Sequence, residues 1–115
     1  MNNPKPRVFV PNLSHHDFTS ARRFGELVFL TEGWVSPQAV NTIFRQCYEK
    51  MKDCTADDFL MMSSLPVINA AAASIMAMKC KGKLQFLIFD HGNYVPVRIS
   101  VEPGGFSSDD IEAIR

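Results

Sequence analysis

The sequence predicts an α/β domain: a single three-layer, Rossmann-like fold with a mostly parallel sheet of four strands and an antiparallel edge strand. Three features carry this expectation. Residues 59–63 and 84–89 are largely apolar runs on either side of an alanine-rich stretch, the pattern of a βαβ unit. Strands written as continuous apolar runs are expected where helices cover both faces of a parallel sheet. Residues 94–101 instead alternate apolar and polar and contain Pro96, which marks an edge strand joined as a hairpin.

A chain of 115 residues is one domain, able to bury roughly two-thirds of its unfolded surface without metal or disulfide. We expect the domain over residues 1–102 and a tail or short helix over 103–115. A hydrophobic content of 46% with 21% charge is that of a globular protein, and no apolar run approaches the ~18 residues of a membrane span. Twelve basic and twelve acidic residues leave no net charge and no basic stripe, so the field that binds duplex nucleic acid is missing. The N-terminal residues lack a signal peptide's apolar core, and Cys47, Cys54 and Cys80 are odd in number and widely spaced. Reduced thiols in a cytoplasmic protein follow as the expectation.

Taken in order, Arg7 to Val10 is a short strand held extended by the prolines before it, ending at Pro11-Asn12. A short helical stretch follows, with Ser14 or Asp17 to cap it, a stripe of Phe18, Ala21 and Phe24, and Gly25 to end it in a left-handed conformation. Leu27 to Leu30 is the second strand, closed by Thr31, Glu32 and Gly33. Ser36 is placed to cap the next helix, with Pro37 as its first residue and Val35 stapled onto Val40. Val40, Ile43, Phe44, Cys47, Tyr48 and Met51 mark one face of it at helical spacing. After the central strand and a turn of Ser64, Leu65 and Pro66, a helix running to about Lys81 carries Ala70 to Ala73 and Ala77, side chains small enough for close packing, with Ile75, Met76 and Met78 filling gaps. Gly82 stops it, and Asp90-His91-Gly92-Asn93 turns the last two strands.

With the first four strands parallel, the polar residues at their ends collect on one rim. Asn12, Ser14, His15, His16, Thr31, Glu32, Ser63, Ser64, Asn69 and Asp90 are the candidate ligand-binding residues there. Open α/β sheets bind ligands at this carboxyl rim, and the amides at the start of the helix after Ser64 favour an anion, most plausibly a nucleotide. Catalytic residues stay unassigned, although His15, His16 or Glu32 is the kind of group that general acid–base hydrolysis of a bound ligand needs.

Other chemistries are weaker on spacing alone. His15, His16, Asp17 and Glu32 lack the i, i+3 or i, i+4 ligand spacing of a metal site, so no metal is expected. Ser63 and Ser64 sit at a strand-to-helix turn, but Met62, Leu65 and Pro66 replace the glycines of a nucleophile elbow. The same lack of glycine excludes a P-loop or dinucleotide fingerprint, and no cofactor is expected. Asn69 is a cap before it is a ligand contact. Trp34 is more simply packed over the start of its own helix than offered as a stacking platform.

The stretches His16-Asp17-Phe18 with Ala21, Phe24 to Gly33, Asp57 to Leu60 and Pro66 to Asn69 resemble a pattern in small single-domain α/β proteins of phage and bacterial genomes. The resemblance implies a viral or mobile-element source, hence a phage accessory protein, and carries over no catalytic residue. It also keeps a second expectation in view: a protein-interaction module, such as an inhibitor of a host enzyme, with no small-molecule site. A rim plugged by Leu13, Leu65 or Trp34 is the structural sign of that second class. A sheet this size leaves an edge or a face thinly covered, which predicts a homodimer through residues 94–101 or through the small-residue face of the helix at Ala70 to Ala77.

Overall fold

A computed structural model describes residues 5–13, 17–36, 38–63 and 65–101. Its elements are β1 (Arg7–Leu13), a 3-10 helix (Thr19–Arg23), β2 (Glu26–Glu32), α1 (Val40–Met51), β3 (Phe59–Met61), α2 (Pro66–Lys79), β4 (Lys83–Asp90) and β5 (Asn93–Ser100). They form an α/β fold with one five-stranded mixed sheet in the order β2-β1-β3-β4-β5. The first four strands are parallel and β5 is antiparallel to β4.

Alternation along the strands divides the core in two. Phe9, Leu60 and Leu84 face one side, where Ile43, Cys47 and Met51 of α1 and Ile68, Ala72, Ile75 and Met76 of α2 cover them. Val8, Val10, Met61 and Leu87 face the other side and meet Ala21, Phe18 and Phe24 around the 3-10 helix. Both α-helices therefore share one face, and the opposite face carries only the 3-10 helix among the described residues. Ala71 and Ala72 are buried and α1 lies beside α2, the close approach that small side chains permit.

Several boundaries differ from the sequence expectation. β1 does not stop at Val10 but runs through Pro11 to Leu13. β3 is short and pairs only with Val8 and Phe9, so beyond them one side of β1 has no ladder for Pro11 to break. α1 begins at Val40 with Ala39 at its N-cap and no side-chain cap, so Ser36 is not the cap; its carbonyl instead accepts Ala39 N–H at 3.1 Å in a preceding turn. Pro37 lies outside the described residues. Val35 packs on the core while Val40 and Phe44 are exposed, so the predicted staple of Val35 onto Val40 is not what covers the start of α1.

Gly25 is not left-handed. It is needed because an added Cβ would stand 2.3 Å from the Pro6 carbonyl oxygen. Asp17 does steady the start of the 3-10 helix, its Oδ1 accepting Thr19 N–H at 2.9 Å, while the alternative cap Ser14 lies outside the described residues. The left-handed positions among the described residues are Gly33 after β2, Lys81-Gly82, which ends α2, and His91-Gly92, a two-residue hairpin turn. The predicted tail, residues 103–115, also lies outside the described residues.

Candidate functional site

The carboxyl rim of the parallel strands is where a ligand was expected, and its residues fall into three separate groups. Asn12 and Thr31 are partners in the β1–β2 register. Thr31 is buried, and its hydroxyl donates to the Pro11 carbonyl at 2.7 Å and lies 3.1 Å from Asn12 Oδ1. Asn12 Nδ2 donates to the Gly33 carbonyl at 2.9 Å. At the next strand end, Asn69 Nδ2 donates to the Ser63 carbonyl at 2.8 Å, and Asn69 Oδ1 accepts from Ser63 N–H and from its hydroxyl. Ser63 Oγ also accepts Leu65 N–H at 3.1 Å. Asn69 thus tethers the turn into α2, a cap-like role rather than a free ligand contact.

Asp90 stands apart at the hairpin turn, exposed, with its Oδ1 2.6 Å from His91 Nδ1. Glu32 and its neighbour Thr31 line a groove of about 490 Å³ between the end of β2 and α1, whose far wall carries Arg45, Gln46, Glu49 and Lys50. Ser14, His15, His16 and Ser64 lie outside the described residues. Asn12, Thr31, Ser63 and Asn69 consequently spend their polar atoms on the turns that end their strands. Among the described residues no group of three or more His, Cys, Asp or Glu side chains is placed to hold a metal ion.

Trp34 contradicts the expected packing. It is 86% exposed, because the turn after Gly33 (φ +68°) sends the chain out from the rim before α1 begins. Leu13 is exposed and Leu65 half-buried beside the core, so among the described residues the rim is neither a deep pocket nor a filled one.

The densest polar cluster lies at the opposite, amino end of the sheet. Asp58, 2% exposed, accepts Arg7 backbone N–H at 2.9 Å, Arg7 Nη2 at 3.1 Å and Thr55 N–H at 2.8 Å. Arg7 Nη2 also donates to the Asp53 carbonyl at 2.8 Å. Gln85 Nε2 donates to the Asp57 carbonyl at 3.2 Å, and Gln85 Oε1 accepts Arg98 Nε at 2.6 Å. The sequence reading did not single out this chain of contacts from β1 to β5. Its signals were Asp58 placed directly before an apolar strand and Gln85 alone among the apolar residues of the run 84–89. Every partner is internal, so its role is to hold loop and strands together.

The third feature is apolar. The register pairs Ile99 with Leu84, Val97 with Phe86 and Val95 with Ile88, which puts all of them on the face that bears the α-helices. The helices cover Leu84 and Phe86 but leave Val95, Val97, Ile99 and Val101 37–42% exposed in one row, with Ile88 beside them. The row is contiguous, unlike scattered surface leucines.

Comparison with known proteins adds the family. The family model described as Phage Pam3 gp32-like protein matches residues 6–101. The chain belongs to that family. The match spans every element from β1 to β5, including the polar cluster and the exposed row. It bears out the resemblance to small phage proteins. No curated protein and no solved structure matches the chain. No described helix is long and apolar enough to cross a membrane.

Proposed function

We propose that this phage-family protein is a protein-interaction module that docks through the helix-bearing face of the β4–β5 hairpin. The observation that carries the reading is the uncovered row Ile88, Val95, Val97, Ile99 and Val101, set against a rim where Asn12, Thr31, Ser63 and Asn69 are engaged with their own turns. Burying such a row is worth about 25 cal/mol for each Å² of apolar surface removed from water.

A second copy of the chain is the occupant that the charge pattern favours. The row is flanked by Asp90 at the turn and by Lys81 at the other end of β4, both exposed, so a two-fold packing of the row on itself brings Asp90 of one copy to Lys81 of the other. Extension of the sheet across the β5 edge is disfavoured. The two-residue turn directs the N–H groups of Asn93, Val95, Val97 and Ile99 toward β4, and Pro96 falls among the outward positions, where it removes a donor. The small-residue face of α2 is also disfavoured, since Ala71 and Ala72 are already buried in the core.

Val97→Lys tests the reading, with light scattering at micromolar concentration and capture of a host partner as the two readouts. A dimeric wild type that becomes monomeric in Val97→Lys supports self-association. A monomeric wild type that captures a host protein, and loses it in the variant, keeps the module and replaces the occupant, as an inhibitor of a host enzyme would require. Loss of neither sinks the proposal.

A second reading rests on the groove at Glu32. Strand order reverses about β1, which supports a small doubly wound, Rossmann-like arrangement with the 3-10 helix as its third layer, and such folds bind ligands near the reversal. Arg45 and Lys50 line that groove beside Glu32 and Glu49, so the ligand it suits, such as a nucleotide, would pair its anionic group with the two cations and turn its donor groups to the two carboxylates. A thermal-shift panel of mononucleotides and cyclic dinucleotides is the test; saturation at a hundred times the dissociation constant adds about 2.7 kcal/mol, and a flat panel removes the reading.

A further inference from the structure

We infer that Cys54 and Cys80 are an oxidisable dithiol that a small peroxide converts to a disulfide, bridging the loop after α1 to the end of α2. Their Sγ atoms lie 3.9 Å apart, and each residue is 8% exposed. Both backbones are tied in place: Cys54 N–H donates to the Met51 carbonyl at 2.9 Å and Cys80 N–H to the Met76 carbonyl at 2.8 Å. The two thiols therefore face each other by construction of the fold. A disulfide needs its sulfurs at about 2.05 Å, so a closure of about 2 Å, within reach of side-chain rotation, completes the bond. Cys47 is fully buried on the inner face of α1 and belongs to the hydrophobic packing.

Burial raises both thiols, Cys54 to about 12. One thiol of the pair gives up its proton and its thiolate attacks one oxygen of hydrogen peroxide; the O–O bond breaks, the departing hydroxide takes up that proton as water, and a sulfenic acid remains. The other thiol then attacks that sulfur; the S–S bond forms, the S–O bond breaks, and hydroxide departs as water with the second thiol's proton. Two electrons pass from the sulfur pair to the peroxide. Low exposure confines the reaction to a small oxidant. In a reducing compartment such a bond is transient, the usual character of cytosolic disulfides that sense oxidation.

The site has a structural reach beyond its two sulfurs. Asp53 and Thr55, on either side of Cys54, are the residues whose backbones hold Arg7 and Asp58. Closing the bridge pins this loop to α2 and with it the polar cluster at the amino end of the sheet.

The test uses the full chain, fully reduced, treated with hydrogen peroxide, then denatured, alkylated and mapped by mass spectrometry. The expected result is one alkylated cysteine, Cys47, and a peptide pair joined through Cys54 and Cys80, with all three thiols returned by dithiothreitol. Three free thiols after oxidation, separate sulfinic acids at Cys54 and Cys80, or a bridge that involves Cys47 or a second copy overturns the inference. Cys54→Ser and Cys80→Ser each abolish the internal bridge, and a bridge that persists in either also overturns it. If either variant fails to fold, the wild-type map decides alone.

Discussion

Asp58→Ala removes the acceptor on which the amino end of the sheet converges. Two backbone N–H groups, of Arg7 and Thr55, lose their partner in a place where Asp58 was 2% exposed. An unsatisfied buried donor costs about 1–3 kcal/mol, so the pair sets a range of about 2–6 kcal/mol. The Arg7 side chain is 27% exposed and keeps the Asp53 carbonyl, which admits water and spares part of the penalty. We therefore expect a loss of about 3 kcal/mol. Arg7→Ala should cost less, about 1–2 kcal/mol, because both backbone N–H groups still reach the carboxylate and what is lost is one partly exposed pair and the stacking over Phe9. Urea unfolding is the assay. With a slope of about 1.5 kcal/mol per molar, Asp58→Ala lowers the midpoint by about 2 M at unchanged slope. A shift under about 0.5 M at that slope, or Arg7→Ala costing more than Asp58→Ala, refutes the assignment of the carboxylate as the hub.

Gly82→Ala and Gly92→Ala both place a side chain at positive φ, but only the first meets backbone, with Cβ 1.8 Å from the Val101 carbonyl oxygen. Thermal unfolding should show Gly92→Ala costing about 1–2 kcal/mol and Gly82→Ala distinctly more; equal losses contradict the close approach of β5 to the end of α2. Trp34 is 86% exposed, so its fluorescence should resemble tryptophan in water and be quenched freely by acrylamide, and Trp34→Ala should change stability by no more than about 0.5 kcal/mol. A blue-shifted, protected emission returns Trp34 to the packed position. Burial raises the thiols of Cys54, to about 12, and Cys47, to about 11, from an ordinary value of 9.0. The folded state binds those protons more tightly, so the stability they confer is whole below pH 9 and falls as pH rises from 9 through 11 and 12. Melting temperatures recorded from pH 8 upward should decline, and less steeply in Cys47→Ala; parallel curves for wild type and variant contradict that origin.

Local signals determined much of the architecture. The apolar runs at 59–63 and 84–89, the alanine-rich stretch after Pro66, the Gly82 stop and the His91-Gly92 turn each act within a few residues, so the βαβ unit, the antiparallel hairpin and β5 as an edge strand were legible in the sequence. The start of α1 was misread, because a serine-proline pair is a capping signal in isolation and the chain after Trp34 uses it for a turn instead. Which face each helix covers could not be read in advance. Val95, Val97 and Ile99 alternate as any half-buried strand does, and only the lateral reach of α2 decides that they stay partly open to water. The role of the rim residues was undecided for the same reason: asparagine and serine at a strand end serve a ligand or their own turn equally well, and the hydrogen-bond distances in the fold assign Asn12, Ser63 and Asn69 to their turns. Two features of long sequence separation were invisible altogether. Arg7 meets Asp58 across 51 positions and Cys54 meets Cys80 across 26, and contacts of that span are specified by strand order and helix packing, which no local pattern encodes.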